Sequence, residues 1–538
     1  MTPRDILARA DRLKSARAVF SMHWQEVADY VRPSSEFTRI TTPGTKRITR
    51  IFHTGPVTAA DQLAAGLHGM LTSPALRWFR LRLDRSSADG QETPGEDDAS
   101  VWLDGATEAL YATFNSPRGC FTTAAHELYQ DIVAFGNGPL FMDDGGIEGI
   151  RFHTIPLADC FISLDAYGTV DTLFRMYQLT AHQIAGKWPD DVPEPVRKVL
   201  EKEPDRKFDL VHAVFPKPEG AKGLRWLSYY LLKDHPDEPI GKVGGYDRFP
   251  YIFSRWKRRS GEDYGVGPAM DLLPDIRLLN KLEEVNLRGV AKVVDPAVFV
   301  PDDGFLGPLT TAPNTINYFR AGQLMDGDRP FTLPNAARPD IGAEKTAEVM
   351  GRIEQGFYVT WMNLPTRPNM TATEVLQRRD EQLRLLGPMV SRLQEEFLGP
   401  LIAWTLDTLV RNGALPPAPE GLFTYEIEYQ SPLALSQKTS DADGVIRWVQ
   451  GVAEVANMDP AALDVVDAGE VVRFLGTRFG VPPRVIRSKA DAAQMAQARQ
   501  QQQQQMAQIS GAQGIARAAK DGAGAMQALG AMAGQGAP

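Results

Sequence analysis

Residues 361–413 constrain the fold more than any other stretch, because they join a loop that cannot be helical to the longest helical pattern in the chain. The loop, WMNLPTRPNM over 361–370, sets Pro365 and Pro368 too close together for a helix to pass through. Thr371 and Glu374 then stand three apart, the spacing at which a hydroxyl cap and a carboxylate satisfy each other's free backbone donors and start a helix. Val375, Leu376, Leu383, Leu386, Val390, Leu393, Phe397, Leu401, Trp404 and Leu409 follow at mostly three- and four-residue steps, and Gly413 stands where a stop belongs. Roughly forty helical residues reach about 60 Å at 1.5 Å each, more than one ordinary core needs. Gly387-Pro388 predicts a kink midway.

The rest of the chain predicts an α+β protein of several compact units, since 538 residues exceed one core and 43% hydrophobic content can fill more. Ile6, Ala10, Leu13, Phe20, Trp24, Val27 and Val31 keep helical spacing, with Arg17 the one polar member of the stripe. Further helices are predicted over 57–71, 101–114 and 122–135, the last closed by Gly136-Asn137-Gly138, and a strand over 78–83. From 139 to 230 short β-branched and aromatic runs (RFHTI, CFISL, TLFRMYQL, LVHAVF, RWLSYYLL) read as strands around a helical insert at 181–200. A strand at 250–256 precedes a helix whose apolar face is Leu272, Ile276, Leu279, Leu282 and Val285. Residues 293–338, rich in Pro, Gly and Asp, hold strand-like AVFV and TINYF, and helix returns at 340–358. Beyond Gly413, FTYEIEYQSP reads as a strand and 443–480 as helices. The tail from 490, with six consecutive glutamines at 500–505, cannot build a core of its own.

Charge and composition exclude several classes. With 58 basic and 67 acidic residues, the net charge of −9 argues against tight grip on nucleic acid through phosphate neutralisation. Cys120 and Cys160 lack redox or metal spacing, which points to a reducing compartment and plain burial. No export-type apolar run opens the chain, and no eighteen consecutive apolar residues occur, so cytoplasmic synthesis without a membrane is expected.

Searches for catalytic patterns return little. Gly44-Thr45-Lys46 and Gly241-Lys242-Val243 lack the context of a phosphate-binding loop. His126-Glu127 has no second histidine four residues on, which argues against a zinc site, and no serine sits in a nucleophile turn. Asp143-Asp144, Asp302-Asp303 and Glu395-Glu396 leave a metal-dependent nuclease open as an alternative. The basic run Arg255-Trp256-Lys257-Arg258-Arg259 suits either a nucleic-acid surface or a salt-bridge patch for a subunit or partner. No catalytic, cofactor or metal residue is assigned.

The order of motifs resembles the portal proteins, or head-to-tail connectors, of short-tailed phages. The matching residues are LAAGLHGMLTSP at 63–74 with Arg77-Trp78-Phe79, Phe135-Gly136-Asn137-Gly138, Tyr264-Gly265-Val266-Gly267-Pro268, Leu279-Asn280-Lys281-Leu282, Met370-Thr371-Ala372-Thr373-Glu374-Val375, and Leu386-Gly387-Pro388 with RLQEEFL at 392–398. The resemblance covers roughly residues 1–435. It implies a portal fold: N-terminal helix and arm 1–50, mixed α+β wing 51–263, stem helix 264–292, small β-rich clip 293–338, second stem helix 339–359 and tunnel loop 360–370. A kinked spine helix 371–413, a return strand 414–436, a helical crown 437–489 and the tail, as barrel helix or disordered, complete it.

By the same resemblance the partners are copies of the chain in a ring, usually of twelve, and double-stranded DNA that passes without sequence preference. A terminase motor and tail adaptor dock at the clip, with capsid and scaffolding proteins around the ring. The place is the capsid vertex of the virion, assembled in host cytoplasm. The tunnel-loop residues are Trp361, Met362, Asn363, Leu364, Arg367, Asn369 and Met370; Asp271, Asp275, Glu283, Glu284, Glu344 and Glu348 are the channel-lining candidates. Acids on those helices would repel phosphates, some pairing instead with a neighbouring subunit's arginines at positions such as 277 and 352. A monomeric helical adaptor or scaffold is a further alternative.

Overall fold

The computed structural model describes residues 2–502 apart from 40–43, 46–47, 49, 85–95, 147–148, 219, 221–222, 238, 303–307, 309, 321–329, 333–338, 363–385, 420–423, 431, 457–464, 480, 482–484, 486–491 and 493. The chain divides into two compact units, one of Met1–Arg80, Ala106–Pro417 and Tyr429–Leu433, the other of Leu81–Gly105, Ala418–Glu428 and Ala434–Pro538.

In the first unit, α1 (Pro3–Tyr30) starts at a capping box in which Thr2 and Asp5 exchange hydrogen bonds. Its apolar stripe buries Ile6 and Ala10 on one face of a five-stranded antiparallel sheet, against Phe161, Phe174, Val211, Ala213, Phe215 and Leu231. That sheet runs in the order β4 (Cys160–Leu164), β5 (Val170–Thr180), β6 (Lys207–Pro216), β7 (Trp226–Leu232), β8 (Gly244–Tyr246). Alternation along β6 sends Leu210 to the opposite face, where α5 (Ala181–Lys187) and α6 (Glu194–Leu200) supply Ala181, Ile184 and Val196.

Arg17, the polar residue in the apolar stripe of α1, is an anchor. Its buried guanidinium donates to the carbonyls of Leu157 (2.8 Å), Cys160 (2.6 Å) and Ala158 (2.7 Å), and lies 4.0 Å from the Phe161 ring centroid. The three carbonyls belong to one tight turn, so a single side chain fixes the helix to the start of β4.

A second sheet places β2 (Asn137–Asp144) between β3 (Ile150–Thr154) and β9 (Tyr251–Arg255). The sequence marks Gly136-Asn137-Gly138 as a closing turn, whereas β2 already begins at Asn137. Gly136, at φ +72°, ends α4 (Phe121–Phe135) in the left-handed region, and one residue suffices for the turn. Asn137 is then buried, donating to Phe135 O (2.7 Å) and Gly265 O (3.0 Å) and accepting from Gly265 N (2.7 Å). A short ladder, β10 (Lys257–Arg258) with β11 (Gly265–Val266), adjoins it, and α2 (Gly55–Leu71) packs on α4.

Three more helices follow β11: α7 (Pro268–Asp271), α8 (Leu273–Val294) and α9 (Pro339–Gly356), with β12 (Val298–Asp302), β13 (Ile316–Arg320) and β14 (Phe331–Thr332) between the last two. In that small sheet β12 lies central, parallel to β13 and antiparallel to β14. Trp361 and Met362, placed in a loop by the sequence, instead close a short helix, α10 (Val359–Met362). Asn363, Leu364, Arg367, Asn369 and Met370 lie outside the described residues, as does the predicted helix start at Thr371.

The described part of the long helix comprises α11 (386–393), a π turn at Gln394–Leu398 and α12 (Gly399–Arg411). It departs from the regular α-helix at Gln394–Leu398, while the turn before Leu386, against which the expected kink at Gly387-Pro388 would show, lies outside the described residues. Pro400 has no N–H to give, and the chain widens one turn earlier, with Gly399 N bonding to Gln394 O. Gly413, at φ +71°, ends the helix as predicted.

In the second unit, β1 (Phe79–Leu83) pairs with β15 (Tyr425–Tyr429), and Arg82 Nε meets Glu428 Oε2 at 2.7 Å. The long α3 (Glu96–Phe114) begins there and α14 (Ala468–Arg478) lies there, as does most of α13 (Pro432–Ala456), which starts earlier than the predicted 443. Residues 494–502 are helical.

Candidate functional site

The hairpin of α8 and α9 carries every channel-lining candidate except Asp271, which ends α7. It is antiparallel, because Asp275 meets Arg352 (3.1 Å) near one end and Asn286 Nδ2 donates to Thr346 Oγ1 (3.1 Å) further along. α9 turns Thr346, Val349 and Ile353 inward at helical spacing, and Phe357, just past its end, is buried too. Close approach needs small residues here: a Cβ on Gly356 would meet Leu272, and one on Gly342 would meet Asn286.

The first third of α8 is tied to the N-terminal segment. Arg277 Nη1 pairs with Glu26 (2.8 Å), while Asn280 accepts from Phe52 N (2.7 Å) and donates to Arg50 O (2.8 Å). Asn280 falls within the quoted motif Leu279-Asn280-Lys281-Leu282, but its role was not legible, since its partners are more than 200 residues away.

The rest of α8 is unusual in its exposure. Leu278 and Val285, seven residues apart, lie on one flank of the face that meets α9, and Leu287 and Val294 on the other. All four are 42–78% exposed, as are Val290 and Val293. Between the flanks, away from α9, runs a charged ridge in which Glu284 pairs with Lys281 (2.9 Å) and Arg288 (2.6 Å). The Lys281 hydrogen bond holds the Glu284 carboxyl below its usual range, as Lys345 does for Glu348.

Four of the six acids are therefore compensated inside the chain. Besides Glu284 and Glu348, Asp275 has Arg352, and Asp271 has Lys257 (3.8 Å) and Arg259 (3.6 Å). Arg277 and Arg352, expected to meet acids of a neighbouring subunit, each have an acid of their own chain within reach. Glu283 and Glu344 make no ion pair among the described residues.

The basic run 255–259 is likewise an internal device. Arg255 is buried, donating from its backbone N (2.9 Å), Nε (3.1 Å) and Nη2 (2.9 Å) to the Glu396 carboxylate and from Nη2 to Gly168 O (3.0 Å). Arg258 donates to Glu262 O (3.0 Å), and Lys257 and Arg259 face Asp271. Glu396 sits in the π turn, so this cluster fastens the long helix to β9. Tyr358, at φ +59° between α9 and α10, sets its ring 6.4 Å from Trp256 and its hydroxyl 3.9 Å from Met389 Sδ in α11. An aromatic residue in the left-handed region is uncommon, and here contacts on both sides hold it.

Of the paired acids, Asp303 lies outside the described residues, and Asp143-Asp144 and Glu395-Glu396 do not converge on a metal. Asp144 binds Arg411 (3.2 Å) and Asn412 (2.9 Å), Glu396 binds Arg255, and no group of three His, Cys, Asp or Glu side chains could hold an ion among the described residues. Of the two cysteines expected to be buried, Cys160 is, its thiol pKa pushed up by desolvation, whereas Cys120 is exposed just before α4. Among the described residues no helix is long and apolar enough to cross a membrane.

Comparison with known proteins finds a family and several relatives. A family described as "Bacteriophage head to tail connecting protein" matches over residues 4–486. The chain is 28% identical to a probable portal protein of Bordetella phage BPP-1 over 504 residues, covering 89% of this chain and 88% of that one. It is 24% identical to the portal protein of Salmonella phage epsilon15 over 503 residues (89% and 88% covered), and 24% identical to that of Escherichia phage T7 over 467 residues (83% and 82% covered). The family match spans both helices of the hairpin, the small sheet they carry and the long helix beyond them, and the chain belongs to the bacteriophage head to tail connecting protein family.

Proposed function

We propose that this connector acts as a portal: copies close into a ring at one capsid vertex of the virion, DNA passes through the centre on packaging and ejection, and the ring joins head to tail. It is a structural component and not an enzyme. The observation that carries the reading is the pair of apolar flanks on α8, Leu278 with Val285 and Leu287 with Val294. Two different exposed flanks on one helix suit one neighbour on each side, the head-to-tail contact that closes into a cycle.

In this reading α8 and α9 are the stem and the sheet of β12 to β14 belongs to the clip, where a terminase motor and later a tail adaptor dock. The ring has twelve copies, with capsid and scaffolding proteins around it. A channel wall must let a polyanion slide without gripping it. In-chain compensation of Asp271, Asp275, Glu284 and Glu348 leaves Glu283 and Glu344 as the acids with charge to spare, a mildly repulsive wall for phosphate. Arg367 or Asn369 would touch the DNA backbone as it passes, without reading sequence.

Light scattering on the purified protein tests the ring: the expected mass is a single high multiple of 59.3 kDa, and a monodisperse monomer contradicts the reading. For the loop contact, particles carrying Arg367→Ala are expected to package or retain less DNA than wild type; unchanged packaging and retention would remove Arg367 from the account.

A further inference from the structure

We propose that Arg175 and Lys187 form a site for a terminal phosphate group, beside α5 on the helix-covered face of the five-stranded sheet. Arg17 and Arg255, the buried guanidiniums described above, find carbonyls and a carboxylate in their own chain. These two cations do not. Neither forms an ion pair or a hydrogen bond among the described residues, and the Arg175 Nε–H is buried with no acceptor. A donor stranded in this way costs free energy until an oxygen reaches it.

Strand register sets Arg175, His212 and Tyr230 in one row across β5, β6 and β7, with about 4.8 Å from strand to strand. His212 is a closed floor between them: its ring nitrogens lie 2.5 Å from the Tyr251 hydroxyl and 3.0 Å from Ser228 Oγ, and its ring stacks on Tyr230 at 4.0 Å. Arg175 Cζ lies 4.2 Å over the Tyr177 ring. Lys187, the last residue of α5, holds its Nζ 5.1 Å from the Trp188 ring and 5.1 Å from the Tyr230 ring. Lys187 is exposed, yet desolvation lowers its pKa, and the charge of Arg175 lowers it further against the pull of Asp143. A side chain that water reaches but protein shields stands in a recess, with Arg175 near enough to act on it. Asp143 and Asp159, the acids that sense these two charges, both lie beyond ion-pair distance. Two uncompensated positive charges match a terminal phosphate, which carries close to two negative charges at pH 7. The guanidinium fork suits two of its oxygens and the ammonium a third. The half-buried Trp188 and Tyr230 rings, 4.8 Å apart, stand alongside, so the phosphate could be free or belong to a nucleotide whose base stacks there. The site does not depend on the portal reading.

Calorimetric titration of the full-length protein with inorganic phosphate and with AMP, at pH 7.5 and constant ionic strength, tests it. One phosphate per chain is expected, with affinity falling roughly tenfold or more in Lys187→Gln and in Arg175→Met. Affinity should also fall as pH drops through about 6, where the phosphate loses its second charge. Phosphate binding as tightly as AMP identifies the free ion as the ligand, and tighter AMP identifies a nucleotide; both support the site. No binding of either by wild type, the same isotherm in the double variant Arg175→Met/Lys187→Gln, or equal binding of a dephosphorylated oligonucleotide overturns it. Should Arg175→Met impair folding, Lys187→Gln changes only an exposed position. Phosphate should then raise the melting temperature of wild type but not of this variant, and equal shifts in both overturn the site as well.

Discussion

Arg255 illustrates how much this fold rests on single polar side chains. Its guanidinium is 4% exposed and its charge is met by Glu396, itself 18% exposed, with Arg392 on the same carboxylate at 3.1 Å. Removing one partner strands the other away from water, so Glu396→Ala should destabilise the first unit by about 3–5 kcal/mol in chemical denaturation. The double variant Arg255→Met/Glu396→Leu should recover most of that loss; a double variant as unstable as the single one would refute the stranded-charge account.

Asp131, in α4, carries a pH signature. Burial pushes its pKa up to about 6 despite the Arg32 guanidinium at 3.2 Å. A carboxyl raised in the folded state favours folding while protonated, and that contribution is lost as pH rises from the ordinary carboxylate range through about 6. The stability of wild type relative to Asp131→Asn should therefore fall between pH 4 and pH 7, by on the order of 1–2 kcal/mol. A difference independent of pH would contradict the raised value.

Among the elements, α8 is the one whose sequence makes least sense in a lone chain. Its apolar residues exceed what α9 and the N-terminal segment cover, and Val285 and Leu287 are 53% and 51% exposed. Val285→Asp and Leu287→Asp, one on each flank, should each prevent assembly while changing the melting temperature of the isolated chain by only a few degrees, since about half of each residue is already in water. Light scattering with circular dichroism separates this from misfolding; assembly unaffected by both changes would remove the flanks from the interface. The long helix behaves otherwise. In its described part Leu393, Phe397, Leu401, Ile402 and Trp404 are buried within the chain. Periodicity identified the face but not what covers it.

The same distinction explains what was legible elsewhere. Strand runs such as CFISL and LVHAVF, the stop at Gly413 and the insert at 181–200 are local signals, and each appears in the fold. Strand β2 was missed at its start because Asn137 earns its place through bonds to Gly265, remote in sequence. The run at 255–259 read as a surface because charge density is visible in a sequence, whereas the buried acceptor Glu396 is not. Likewise Arg17 stood out as polar in an apolar stripe, but only the turn at Leu157 to Cys160 explains it.

At the scale of the whole molecule, the chain combines an internally compensated charge pattern with unsatisfied apolar flanks. In the proposed portal the first limits how strongly passing DNA is held, and the second calls for copies on both sides. Both belong to a connector that must be mechanically tight and electrostatically indifferent. Electron cryomicroscopy of the purified assembly tests this most directly. The account predicts closed rings in which Leu278 and Val285 of one copy are buried against a neighbour, Leu287 and Val294 against the other, and Glu283 and Glu344 face the central hole. Single separate chains, or rings whose contacts leave both flanks of α8 in solvent, would contradict it.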